Sequence, residues 1–280
     1  MNSHKCHLAL GQMLVECGEP DRNLRRARKL IERAAEQAAQ IVVLPECLDL
    51  GWTFPAARKL AQPIPGPWSD VLGEAARQTD LHVVAGLTEW SRNRLYNTSI
   101  LISPAGEILL KHRKINELDV GLEVYATGDS LAVATTPLGT IGIPICADNF
   151  PSSLALGHAL ARMGAQMLLS PSAWAMEAEH DNVKQPYGAL WLESYTTLAR
   201  LYDITVAGAS NVGWITAGPW KGRKCIGCSL AVGPGGKVLV QGPYGEDAEA
   251  LLLVETEVLP LIAAGTGFAD ELRRRGYEGP

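Results

Sequence analysis

The sequence predicts an α/β fold in which two β-sheets pack against each other and helices cover their outer faces. Segments with the length and apolar character of buried strands alternate along the chain with segments of helical periodicity. The order of elements before Cys146 also resembles the order after it. No stretch has the composition of a linker, so we expect residues 1–280 to form a single domain.

The first elements predict a β-α-β unit. Residues 7–15 are suited to a strand, and Glu19-Pro20-Asp21 has the proline and the acidic residue typical of the first turn of a helix. Apolar residues then recur at helical spacing over 24–38, and 41–44 is a short, wholly apolar strand. We expect these two strands to lie parallel in a buried sheet.

The remaining elements are separated by turn residues. Pro104-Ala-Gly106 and Pro137-Leu-Gly139 are each flanked by strand-like runs, which predicts two hairpins. The first hairpin spans 96–113, and the second joins 131–134 to 141–145. The other predicted elements are helices at 68–79, 152–163, 190–202 and the C-terminus, and strands at 81–88, 166–169, 204–210, 228–232, 237–240 and 250–254.

Composition argues against several classes of function. The 280 residues are 47% hydrophobic and 20% charged, which is typical of a globular protein. The net charge is −5 with both signs interspersed, whereas binding to nucleic acid or to an anionic membrane requires a concentrated basic patch. No apolar run approaches the length of a transmembrane helix, and the first residues lack the apolar core of a secretory signal.

The six cysteines are sparse, and three of them lie in or beside apolar runs. This usage suits a reducing compartment better than a disulfide framework, so we expect a cytoplasmic protein. Cys225-Ile-Gly-Cys228 is an isolated CxxC motif with no second pair and no nearby histidines. A structural role is therefore favoured for this pair over metal binding.

Two charged residues at the ends of predicted strands are candidates for a functional site. Glu46 follows the strand 41–44, and ligands of such sheets bind beyond the carboxyl ends of the strands; a solvated loop acid is the alternative. Alternation along the second strand of the first hairpin places Lys111 and Arg113 on one side and His112 and Lys114 on the other. One lysine can therefore point inward.

Cys146 is the third candidate. It follows the apolar run 141–145 and precedes a predicted helix, a position where backbone N–H groups and the helix dipole favour a thiolate. A buried cysteine that packs as a small hydrophobe is the alternative. Asp148 and Asn149 are expected to hold the turn around this cysteine through hydrogen bonds to the backbone.

The sequence also contains residues suited to activate such a thiol. Histidine is the usual partner of a cysteine nucleophile, but none of the six histidines lies in an obvious setting at a strand end. A lysine ammonium lowers the pKa of a nearby thiol, and a desolvated glutamate exchanges protons near neutral pH. Lys114 and Glu46 are therefore candidates for these two roles.

Six segments together resemble the nitrilase, or carbon–nitrogen hydrolase, superfamily. Each is weakly specific alone, but they occur in the family's order over nearly the whole chain. The resemblance implies a four-layer α-β-β-α sandwich, one carbon–nitrogen hydrolase domain over residues 1–280, and a homodimer or a higher even homo-oligomer. The segments are Leu44-Pro-Glu46, Arg113-Lys114, Cys146-Ala-Asp148-Asn-Phe150-Pro151, Ser170-Pro-Ser-Ala-Trp174, Asn211-Val-Gly213, and Gly227-Cys-Ser229 with Pro234-Gly-Gly236.

The resemblance implies a thiol hydrolase that cleaves a non-peptide C–N bond through a cysteine thioester and releases ammonia or an amine. It assigns Cys146 as the nucleophile, Glu46 as the general base and Lys114 as the oxyanion stabiliser, with the N–H of Ala147 as a second donor. No metal and no organic cofactor are required. The expected substrate is a small amide or N-carbamoyl compound, and neither nucleic acid nor a membrane is expected as a partner. The alternatives are a true nitrilase that converts a nitrile to an acid and ammonia, and a catalytically silent binding protein.

Three details of the resemblance remain open. Ala147 stands where the family often has an aromatic residue, which leaves the pocket roomier. The family's second glutamate precedes a Gly-Asp pair, here Gly128-Asp129, and both Glu117 and Glu123 compete for that position. Trp174 is expected either to line the pocket or to pack in the core.

Overall fold

The computed structural model describes residues 3–277 and 279. Its helices are α1 (Pro20–Glu36), α2 (Ala57–Leu60), α3 (Pro67–Thr79), α4 (Asp119–Leu122), α5 (Leu154–Arg162), α6 (Ala189–Tyr202) and α7 (Gly267–Arg274). Its strands are β1 (His4–Gln12), β2 (Ile41–Val43), β3 (His82–Ser91), β4 (Arg94–Ile102), β5 (Ile108–Arg113), β6 (Ala134–Thr136), β7 (Gly139–Gly142), β8 (Met167–Ser172), β9 (Ala175–Met176), β10 (Thr205–Ser210), β11 (Val212–Trp214), β12 (Lys224–Ile226), β13 (Leu230–Gly233), β14 (Lys237–Gln241) and β15 (Ala250–Val258).

Two six-stranded sheets have the same internal pattern. The first has the order β15-β1-β2-β3-β4-β5 and the second the order β14-β13-β10-β8-β7-β6. In each, three adjacent strands run parallel, with one antiparallel pairing on one side of them and two successive antiparallel pairings on the other. The two halves of the chain, which were predicted to have similar orders of elements, therefore also share the same pattern of parallel and antiparallel strand pairs.

Three apolar clusters arrange these elements in four layers. The outward residues of the first sheet pack against α1 and α3, and those of the second sheet against α5, α6 and α7. Between the sheets, Leu8 and Val84 of the first meet Ile141, Leu169 and Ala207 of the second. Successive side chains of a strand point to opposite faces, so each apolar strand contributes to an outer and to the central cluster. The predicted α-β-β-α sandwich is confirmed.

The hairpin that leads to Cys146 differs from its prediction. β6 begins at Ala134, so the apolar residues from 131 precede the strand, and β7 ends at Gly142. Pro144 lacks the N–H that a continued ladder would require, which explains why the apolar run leaves the sheet before the cysteine. The helix predicted from residue 152 begins at Leu154, after two short 3-10 turns.

A third, three-stranded sheet with the order β11-β12-β9 was not predicted, because strands of two or three residues carry no periodic signal. Residues 115–130, which follow β5, contain the short helix α4. Among the described residues, no helix is both long and apolar enough to cross a membrane.

Candidate active site

Both large sheets contribute to one pocket. Glu46 and Lys114 follow β2 and β5 of the first sheet, and Cys146 and Trp174 follow β7 and β8 of the second. All four residues line a cavity of about 100 Å³, which we call the active-site pocket. The structure therefore brings together residues that are far apart in the sequence.

Lys114 lies between two carboxylates. Its Nζ is 2.7 Å from Oε1 of Glu46 and 3.5 Å from Oε2 of Glu117, and all three residues are buried. Asn97 of β4 donates a second hydrogen bond to Oε1 of Glu46, at 2.6 Å. These contacts fix the Glu46 carboxylate from two directions.

The predicted alternation along β5 is confirmed. His112 and Lys114 are buried, whereas Lys111 and Arg113 lie on the other side and both pair with Glu89. Burial by itself would lower the pKa of Lys114, but the carboxylates of Glu117 and Glu46 raise it well above its usual value. The amine is therefore an ammonium ion at neutral pH.

Glu117, and not Glu123, belongs to this cluster. Glu117 is 8% exposed beside Lys114, whereas Glu123 is exposed at the end of α4. Burial raises the pKa of Glu117 to about 7, although Lys114 acts in the opposite direction.

Gly128 lies close to the end of β5, since a Cβ at this position would be 2.1 Å from the carbonyl oxygen of Arg113. Glycine is thus required where the chain passes the end of β5.

A 3-10 turn over Cys146–Asn149 presents the thiol. Cys146 has a φ of 42°, a left-handed conformation that is uncommon for a non-glycine residue and is frequent at functional sites. Its N–H donates to Oγ of Ser170 at 3.0 Å, and Nδ2 of Asn149 donates to its carbonyl oxygen at 3.2 Å. Asn149 therefore holds the turn as the sequence predicted.

Asp148 ties this turn to the segment that carries Lys114. Its carboxylate accepts hydrogen bonds from the N–H groups of Ile145, Ile115 and Asn116, at 3.0, 3.1 and 2.7 Å. Oδ2 also lies 2.8 Å from Nε2 of the buried His112. Burial would raise the pKa of Asp148, but the bonds from His112 and the backbone hold it below its usual value. The Asp148 carboxylate thus joins the cysteine turn to the end of β5, together with the Asn116 amide, which donates to the carbonyl oxygen of Ala147 at 2.7 Å.

The thiol of Cys146 is not poised as a thiolate. Burial and then the Glu46 carboxylate raise its pKa, and the opposing effect of Lys114 is smaller. The expectation that a helix dipole would favour the thiolate fails because α5 begins beyond a second 3-10 turn, and the dipole acts within about one turn of a helix end. The group is therefore a thiol at neutral pH, and formation of the thiolate requires a base that accepts its proton.

Aromatic side chains form the wall of the active-site pocket. Trp174 is 2% exposed and stacks on Trp191 of α6, with ring centroids 4.7 Å apart, so it both lines the pocket and packs in the core. Trp191 in turn donates from Nε1 to the hydroxyl of Tyr187 at 2.7 Å. The six aromatic residues of the wall are Trp52, Phe150, Trp174, Tyr187, Trp191 and Trp220.

Sequence reasoning missed most of this wall and also Asn97. The wall residues come from separate loops and one helix, and no local pattern connects them. Asn97 offered a signal, since it is a polar residue within the run of β4 that the fold buries. Within residues 3–277 and 279, no group of three or more His, Cys, Asp or Glu residues is arranged to hold a metal ion, and Cys225 and Cys228 are free.

Comparison with known proteins identifies the family of this chain. Residues 7–258 match the model of the carbon–nitrogen hydrolase family. The omega-amidase NIT2-B of Xenopus laevis is 31% identical over 252 residues, and a nitrilase of Pyrococcus abyssi is 33% identical over 247 residues; each alignment covers 86% of both chains. The solved structure of Nit3 from Saccharomyces cerevisiae, a member of branch 10 of the nitrilase superfamily, is 26% identical, covers 91% of this chain and 90% of that chain, and has a TM-score of 0.75. On the strength of the family match, which spans most of the sequence, the chain belongs to the carbon–nitrogen hydrolase family.

Proposed function

We propose that this protein is a thiol hydrolase that cleaves the C–N bond of a small amide through a thioester on Cys146. The observation that carries the proposal is the 2.7 Å contact between Lys114 and Glu46 in a buried pocket that Cys146 also lines. An omega-amidase and a nitrilase among the similar proteins support the same chemistry. The reaction requires no metal and no organic cofactor.

In the first half of the reaction, Glu46 accepts the proton of Cys146 as the sulfur attacks the carbonyl carbon. The carbonyl electron pair moves to the oxygen, where the Lys114 ammonium and the N–H of Ala147 stabilise the negative charge. The N–H groups on either side of Ala147 already donate to Ser170 Oγ and to the Ile145 carbonyl. In other enzymes, removal of one such donor reduces the rate about 10²- to 10³-fold.

In the second half, the oxyanion collapses and the C–N bond breaks. Glu46 returns its proton to the departing nitrogen, so ammonia or an amine leaves and an acyl thioester remains on Cys146. Glu46 then removes a proton from a water molecule, which attacks the thioester carbonyl. Collapse of this second intermediate breaks the C–S bond and releases the carboxylic acid, and Glu46 returns its proton to the sulfur, which restores the thiol. Glu117 holds the Lys114 ammonium in place, and Trp174 packs beside the acyl group.

Ammonia release tests the proposal. Wild-type protein and Cys146→Ala are incubated with a panel of primary amides, N-carbamoyl amines and nitriles, and the ammonia produced is measured. We expect release from amides by the wild type and none by the variant. Mass spectrometry of protein quenched during turnover is expected to show the acyl mass on Cys146, and an adduct at another residue would contradict its role.

Nitrile hydrolysis is the second candidate, because one similar protein is a nitrilase. Attack of Cys146 on a nitrile gives a thioimidate, which adds water and loses ammonia to leave the same kind of thioester, so the same residues serve both reactions. The ratio of the rates for an amide and its corresponding nitrile, such as propionamide and propionitrile, separates the two candidates. A higher kcat/KM for the nitrile would favour the second.

We also propose that residues 1–280 act as one domain, in the cytoplasm, as a homodimer or a higher even homo-oligomer. All six cysteines are free, which suits a reducing compartment. Leu192 of α6 and Val238 of β14 are exposed apolar residues beside one shallow cavity, which suits contact with another copy. Light scattering coupled to gel filtration tests the oligomeric state, and a monomer would contradict it.

A further inference from the structure

The active-site pocket has a neighbour on the far side of its aromatic wall. A second cavity of about 320 Å³, which we call the side cavity, is lined by Phe150, Met176, His180, Tyr187, Leu190 and Trp191 among others. Phe150, Tyr187 and Trp191 line both cavities. These three side chains therefore form the partition between them.

The partition keeps the active-site pocket small. Its volume of about 100 Å³ is below the roughly 150 Å³ of a protein cavity that accommodates a benzene ring. A short aliphatic acyl group fits such a space, whereas an aromatic acyl group requires more room. The side cavity, whose lining also includes Trp191, offers that room.

Trp191 is fixed by its surroundings. Its ring stacks on Trp174 with an interplanar angle of 20°, is tilted against Phe150 at 5.2 Å between centroids, and donates from Nε1 to Tyr187. A ring that contacts two aromatic neighbours and is hydrogen-bonded at its polar atom cannot swing aside at low cost to admit a larger substrate. The size limit is thus built into the packing.

The pocket also lacks a free partner for a charged acyl group. Among its described lining residues, Glu46 and Lys114 alone are charged, and Lys114 is engaged by Glu46 and Glu117. The neighbouring Arg223 lies over the ring of Trp220 and pairs with Glu177. A carboxylate at the far end of a substrate would lose its hydration here without gaining a free cation.

We propose that Trp191 is the specificity-determining residue of this enzyme: with Phe150 and Tyr187 it closes the active-site pocket off from the side cavity and restricts the acyl group to one that is small and uncharged. The inference rests on the proposed amidase activity. Removal of the indole ring merges the two cavities and admits a larger acyl group, while the site of attack stays unchanged.

The test compares kcat/KM for four amides. Propionamide and benzamide differ in size, and succinamide and succinamate differ in charge at nearly equal size. For the wild type we expect propionamide to exceed benzamide, and succinamide to exceed succinamate by about tenfold or more. In Trp191→Ala we expect the ratio of benzamide to propionamide to rise by about tenfold or more, as contacts in an apolar pocket typically change discrimination by that amount.

Two further variants keep the outcome decisive. Trp214→Ala removes an exposed indole that lines neither cavity, so its ratios are expected to equal those of the wild type. Phe150→Ala removes another side chain of the same partition and replaces Trp191→Ala if circular dichroism shows that the latter does not fold. Unchanged ratios in the folded partition variants, or a wild-type preference for succinamate, would overturn the inference. Failure of the wild type to hydrolyse any of the four amides would instead refute the proposed amidase function.

Discussion

Lys114 is the residue on which the charge balance of the site depends. It is 2% exposed, and its ammonium lies between the carboxylates of Glu46 and Glu117. A buried charge that loses its partner is costly, because neither water nor another group replaces the lost interaction. The same cation that is proposed to stabilise the oxyanion therefore also allows two acidic residues to share one pocket.

Replacement of Lys114 by methionine is predicted to affect both activity and stability. We expect kcat/KM for an amide substrate to fall at least about 10²-fold, since an oxyanion donor is lost. Urea denaturation should show a loss of about 3–5 kcal/mol, because two buried carboxylates lose their counterion. In Lys184→Met, a matched change at a side chain that is 82% exposed, neither quantity should change measurably. Activity within tenfold of the wild type would contradict the role of Lys114.

Glu117 is predicted to make stability depend on pH. Its pKa is about 7 in the folded protein and about 4.5 when unfolded, so between these values the folded state binds more protons than the unfolded state. The contribution of Glu117 to stability is therefore present below pH 4.5 and is lost as the pH rises to 7. Gln at this position does not titrate, so the unfolding free energy of Glu117→Gln minus that of the wild type should increase from pH 5 to pH 8.

Urea denaturation at several pH values measures this difference. Glu123→Gln is the matched control, because Glu123 is exposed and lies outside the cluster. Its difference from the wild type should stay flat over the same range. A flat profile for Glu117→Gln as well would mean that the Glu117 carboxyl has the same pKa in both states.

At the scale of elements, two segments meet at the active site. The 3-10 turn over Cys146–Asn149 follows β7 of the second sheet, whereas β5 belongs to the first sheet. Asp148 joins the two segments through His112 and three backbone N–H groups. The relative positions of the Cys146 thiol and the Lys114 ammonium thus depend in part on the Asp148 carboxylate, which is not among the residues that line the active-site pocket.

Asp148→Asn is predicted to disturb this connection. We expect the free energy of unfolding to fall by about 1.5–3 kcal/mol, the typical contribution of a hydrogen bond to a charged group. Well below the unfolding transition, kcat should fall more than KM changes, because Cys146 and Lys114 are displaced relative to each other. The control is Asp181→Asn, an exposed carboxylate, for which stability and kinetics should match the wild type. A stable variant with full kcat would show that the turn holds without the charge.

The sequence predicted elements well where the local pattern was strong. Helix α1 and the hairpin of β4 and β5 follow from periodicity and turn residues, and the alternation along β5 correctly placed Lys114 on the buried side. The strand before Cys146 was predicted too long, since the apolar run continues past Pro144 although the ladder does not. The sequence did not show whether Glu117 or Glu123 lies beside Lys114, because that depends on how the loop between β5 and β6 folds. Pairing of Trp174 with Trp191 depends on how α6 packs on the second sheet, which no local pattern contains.

At the scale of the whole molecule, the two sheets are joined across the site as well as through the core. The N–H of Glu46 donates to the carbonyl oxygen of Ser172 at 3.2 Å, and the hydroxyl of Ser99 donates to the carbonyl oxygen of Ile143 at 2.6 Å. β15, from the end of the chain, pairs with β1 over its whole length and so completes the first sheet. The two halves of the sequence are therefore interlocked.

This division of the site between sheets makes the protein a candidate for fragment complementation. A break between Ser130 and Leu131, outside any helix or strand, leaves Glu46 and Lys114 on one fragment and Cys146 on the other. Each fragment alone should release no ammonia from an amide substrate. Co-expression of the two should restore activity, because β15 of the second fragment docks on β1 of the first and recreates the pocket. The enzyme would then report, through its product, whether two separate polypeptides have met.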